Sequence, residues 1–122
     1  MKYLLLTYLD EKTWNALSEA DQELAMGECR PHIQNLVSSG KFLGGAPLHP
    51  TSQAKTVKVL NSKRLVTDGP FVETKEQLGG YTLIDAANLN EAIEIASGFL
   101  WKSRPVTIEI RQIVELKGVP AA

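Results

Sequence analysis

TVKVLNSKRLVTDGPFVETKEQLGGYTLI, residues Thr56 to Ile84, decides how the rest of the chain is read. Thr56 to Leu60 alternates apolar and polar residues, Asn61-Ser62-Lys63 is turn chemistry, and Arg64 to Thr67 pairs back as the second arm of a hairpin. Asp68-Gly69-Pro70 closes that arm: Asp bonds its own downstream backbone, glycine tolerates positive φ, and proline pushes the residue before it toward extended geometry. Gly79-Gly80 lets the backbone pass close to a neighbour before Tyr81 to Ile84 resumes as an apolar strand. The spacing is wrong for a phosphate cradle, because neither G-x-x-x-x-G-K-[ST] nor G-x-G-x-x-G occurs.

Outward from this segment, the chain alternates strands and helices. Lys2 to Leu9 carries apolar residues on both faces, the pattern of a strand covered on both sides. Asp10 to Leu17 is a polar connection with room for one helical turn. A helix starts at Ser18, and Leu24, Met26, Cys29, Ile33, Leu36 and Val37 mostly keep helical spacing up to Gly40. Pro31 inside it predicts a kink near residues 27 to 31, where its ring meets the carbonyl of Gly27. A short strand in KFLGGAPLHP leads to the hairpin. After the strand Tyr81 to Ile84, Asn88 opens a second helix with the stripe Leu89, Ala92, Ile93, Ala96 and Leu100. The last strand sets Val106, Ile108 and Ile110 on one face and Thr107, Glu109 and Arg111 on the other. The outer frame is βαββαβ with an inserted hairpin, an α+β ferredoxin-like plait. Its helices cover one sheet face, so the other must meet solvent, a ligand or a second subunit.

At 122 residues, with 43% hydrophobic and 22% charged, the chain reads as a single domain spanning residues 1–122 with a core of its own. A net charge of -1 gives no global pull toward nucleic acid or an anionic membrane. The apolar run in MKYLLLTYLD is far shorter than the roughly 20 residues of a membrane span and lacks a cleavage site. Cys29 is the single cysteine, which excludes an internal disulfide and fits a reducing, cytoplasmic setting.

Few side chains carry candidate chemistry. His32, near the helix kink, is a candidate general base, or else a partly buried helical histidine. Asp68 and Glu73 are candidate acids, with an Asx-turn or solvent as the plainer roles. Lys75 and Glu76 fit a solvated loop end, and Tyr8, Trp14, Phe71 and Tyr81 either line a pocket or simply pack. No H-x-x-x-H or Cys/His cluster is present, so neither a metal nor another cofactor is expected.

VTDGPFVETKEQLGGY, residues 66–81, closely resembles the signature of the DGPF family, a branch of the YCII-related proteins, and MKYLLL, SGKFLGG and VTIEIRQI extend the likeness to about Leu116. The resemblance implies a ferredoxin-like fold that pairs face to face into a dimeric α/β barrel, with Glu109 and Arg111 at or near an inter-sheet cavity. The wider group includes a dehydrochlorinase acting on a chlorinated hydroquinone and proteins proposed to use a His–Asp pair. His32 lies in the corresponding helix, but the D-P pair after the second helix is absent, and FLWKSRP stands there instead. Two functions follow from the resemblance. One is a cofactor-free lyase or isomerase of a small molecule, with His32, Asp68 and Glu73 as catalytic residues and Lys75, Tyr81 and Arg111 binding the ligand. The other is a small-molecule- or protein-binding module accompanying an extracytoplasmic-function sigma factor.

Overall fold

The computed structural model describes residues 1–102 and 104–120. The strand β1 (Lys2–Asp10) runs through the middle of a four-stranded antiparallel sheet of order β2-β5-β1-β6, with β2 (Phe42–Pro47), β5 (Glu76–Asp85) and β6 (Thr107–Gln112). This is the ferredoxin-like strand order. The inserted hairpin, β3 (Lys55–Leu60) and β4 (Lys63–Asp68), forms a separate two-stranded sheet. Its turn is two residues, Asn61 and Ser62, both at positive φ, which is the twist a tight hairpin requires.

Asp10 ends β1 and caps the short helix α1 (Glu11–Asn15) by accepting from the backbone N–H groups of Lys12 and Thr13. Ser18 caps α2 (Glu19–Glu28) through the Asp21 N–H, as its S-x-x-D pattern predicts. The expected kink at Pro31 is a full break. The chain leaves helical bonding at Cys29 and restarts as α3 (Arg30–Ser38), with Pro31 in its first turn, where a missing N–H costs nothing. Ala25 and Leu36, three turns apart and so on one face, are buried, while Leu24 and Val37 of the expected stripe face solvent. Asn88 caps α4 (Leu89–Ser97), whose buried side is Ala92, Ile95 and Ala96 rather than Leu89 and Ile93.

Tyr3, Leu5 and Ile84 are nearly or wholly buried and form the core with Leu36, Ala92, Ile95 and Ala96. Ile108 and Ile110 pack on the same side, so the face assignment of the last strand holds. β5 starts five residues before the expected Tyr81, with Gly79 as an unpaired bulge residue where the register slips between Thr7/Gly80 and Tyr8/Leu78. Among the described residues no helix packs on the second face of β1, which the apolar pattern marks for burial. It presents Leu4, Leu6 and Tyr8, with Tyr81 and Leu78 alongside on β5 and Thr107, Glu109 and Arg111 on β6.

Candidate functional site

Along the helix-covered face the side chains shrink from one end of the sheet to the other. β1 offers Tyr3, Leu5 and Thr7, and opposite them in register β5 offers Ile84, Thr82 and Gly80. The large end fills the space beneath α3 and α4. The small end leaves a cavity of about 270 Å³. Thr7, Thr82 and Gly80 floor it, Met26, Cys29 and Ile33 reach in from α2, the helix break and α3, and Phe42, Phe99 and Trp101 complete the walls. Trp14 of α1 lies on Trp101 with ring centroids 5.2 Å apart and planes 8° from parallel, an offset stack that draws α1 to the segment after α4.

The cavity has little polar chemistry. Glu11 stands at its rim, but both carboxylate oxygens accept from one residue: Thr51 N–H at 2.9 Å and Thr51 Oγ1 at 2.5 Å. That pair ties the loop after β2 to the start of α1. Cys29 Sγ points at the Phe99 carbonyl, 3.6 Å away. Burial pushes its thiol up, the negative charge of Glu28 adds to this, and a hydrogen bond with Trp101 offsets part of it. The sulfur is therefore a neutral thiol at pH 7 and a poor nucleophile.

The residues singled out from the sequence fall in separate places. His32 sits behind the cavity wall. Its Nε2 donates to the Ile95 carbonyl at 2.8 Å, and its ring meets Phe99 edge-on, with centroids 4.8 Å apart. A carbonyl can only accept, so Nε2 carries the proton and the histidine pins α3 to α4. Asp68 ends β4 as the ion-pair partner of Lys55, with a side chain 87% exposed, and Glu73 is exposed in the loop beyond. Among the described residues no hydrogen bond or ion pair joins His32 to Asp68 or Glu73. Lys75 borders a second cleft with Asp10, Glu76 and Arg104, across the Trp14–Trp101 stack from the first. Tyr81 belongs to the strand that floors the apolar cavity, but its side chain, in register with Leu6, lies on the bare sheet face, where Arg111 pairs with Glu109 at 3.2 Å. Among the described residues no group of three or more His, Cys, Asp or Glu is placed to hold a metal ion, and no helix is long and apolar enough to cross a membrane.

Glu11, Trp101, Thr7 and Thr82 did not stand out from the sequence. The readable signal was the decline in side-chain size along two strands that face each other, which marks a gap only once their register is known.

The chain matches the YCII-related domain over residues 1–117. It is also similar to an uncharacterized protein of Rhizobium meliloti (strain 1021), 41% identical over 96 residues that cover 79% of this chain and 77% of the other.

Proposed function

The chain belongs to the YCII-related family, and within it we propose that this protein acts by holding a small, flat, largely apolar molecule between its sheet and its helices. The observation that carries this reading is the apolar cavity floored by Thr7, Thr82 and Gly80. At about 270 Å³ it lies just below the usual ligand-pocket range of roughly 300–1,000 Å³, a size for one or two fused rings rather than a nucleotide. Binding is favoured over acid–base turnover because the titratable groups at the cavity are ill suited to move protons. Glu11 is held by Thr51, Cys29 is a neutral thiol, and His32 is turned to Ile95.

The protein supplies its own reporters. Both of its tryptophans and its single cysteine border the cavity. Titration with 2-naphthol by calorimetry is expected to give one site per chain and to slow the reaction of Cys29 with N-ethylmaleimide. Thr82→Phe fills the floor and is expected to weaken binding at least about tenfold while leaving the fold intact by circular dichroism. Equal affinity in the variant would place the ligand elsewhere.

Two copies close over the bare sheet face in this reading. Its support is the row Leu4, Leu6 and Tyr8 beside Tyr81, 41% exposed on a face without helices. In about 0.5 M salt, where surface charge is screened, light scattering is expected to give a dimer for the native protein and a monomer for Leu6→Arg. A native monomer under these conditions would remove the pairing.

A further inference from the structure

The net charge of -1 conceals two opposite blocks. The hairpin, residues 55–68, holds Lys55, Lys58, Lys63 and Arg64 against Asp68 alone, a balance of +3. Helix α2 holds Glu19, Asp21, Glu23 and Glu28 with no basic residue, a balance of -4, so the remainder of the chain is neutral. Neither block is neutralised by the other. Among the described residues the only ion pair of the hairpin is Lys55 with Asp68, and none involves an acid of α2.

Both blocks also leave apolar side chains in water. On the hairpin Leu60 is 55% exposed on one face and Val57 63% and Val59 73% on the other, and a two-stranded ribbon without a packing partner is marginally stable alone. On α2, Ala25 faces the protein, and at 100° per residue Glu19 and Glu23 fall on the far side with Leu24, 71% exposed, at the flank beyond Glu23. On the hairpin Lys58 shares a face with Leu65, Leu60 and Lys63. Each surface thus carries exposed apolar side chains beside charge, of opposite sign on the two.

We infer that the hairpin of one copy docks on α2 of a second copy, and that the second copy's hairpin returns the contact. A two-fold arrangement satisfies both arms and both helices and stops at a pair, whereas a one-way contact would propagate into a filament. The exposed apolar residues beside the charges favour a protein surface over a phosphate backbone as occupant. This contact is independent of the pairing across the sheet face.

Leu6→Arg protein isolates it, because the sheet-face pairing is removed there. Sedimentation velocity is expected to find pairs at about 20 mM salt and single chains at about 0.5 M, where the Debye length is only a few ångströms. Within that background, Lys58→Glu/Lys63→Glu and Glu19→Lys/Glu23→Lys are each expected to weaken pairing at least about tenfold when alone. An equimolar mixture of the two should recover it, since in the mixed pair the reversed arm meets the reversed helix and the native arm meets the native helix. Pairing that survives either reversal, or a mixture that stays dissociated, overturns the inference. So does a native arm that leaves the mass unchanged at low salt yet binds duplex DNA in a manner lost with Lys58→Glu/Lys63→Glu.

Discussion

Gly45→Ala is expected to destabilise the protein by about 2 kcal/mol or more, lowering its urea midpoint and loosening the cavity floor. A β-carbon at Gly45 would stand 2.6 Å from the Tyr81 carbonyl oxygen and 3.0 Å from the Thr82 α-carbon. Both obstacles are backbone of β5, which is held on its other edge by β1, so the strain cannot be relieved by a side-chain rotation. The edge strand β2 must move instead, and its bonds to β5 at Gly45, Ala46 and Pro47 weaken together. Because Ala46, Pro47 and Leu48 border the cavity, ligand affinity is expected to fall with stability. Gly27→Ala is the matched control. It lies within α2 with nothing within 4 Å of an added β-carbon, and alanine there is expected to stabilise by up to about 1 kcal/mol. Equal effects from the two substitutions would mean that β2 approaches β5 less closely than this.

That contrast shows where the sequence could be read and where it could not. Local signals were legible. Ser18 and Asn88 start their helices through their own side chains, and the two faces of Val106–Arg111 follow from alternation alone. Pro31 was legible as a disturbance, but that the helix stops at Cys29 and restarts rather than bending through it is visible only in the folded chain. The same limit moved the buried side of α4 to Ile95. The site was legible least. Trp14 and Trp101 are far apart in sequence and meet only because α1 and the segment after α4 converge on one end of the sheet. The cavity is made of absences, threonines and glycines opposite each other, and composition has no sign for volume left unfilled. Asp68 drew attention through the acid density around it, yet in the fold it serves the hairpin as partner to Lys55.

His32 tests the same distinction in a single side chain. Gly98→Ala is expected to cost about 1–3 kcal/mol, and adding His32→Ala to it should recover part of that loss. A β-carbon at Gly98 would lie 2.7 Å from His32 Nδ1 and closer still to Cε1 and Nε2. The ring has little freedom to swing away, being fixed by the Ile95 carbonyl at one edge and by Phe99 at its side. Gly98 itself has φ -70°, which alanine adopts freely, so the penalty comes from the collision. His32→Ala alone should also destabilise, because it removes one of the two donors to the Ile95 carbonyl, leaving the Gly98 N–H at 3.2 Å, and takes away the support behind Phe99. The two losses share one cause, and a denaturant double-mutant cycle should therefore return a coupling of about 1 kcal/mol or more. Binding of 2-naphthol should weaken only modestly in His32→Ala, since the histidine touches the cavity through Phe99 and not directly. A general base would behave in the opposite way: His32→Ala would leave stability nearly unchanged and abolish turnover, and additive losses in the cycle would separate His32 from Gly98.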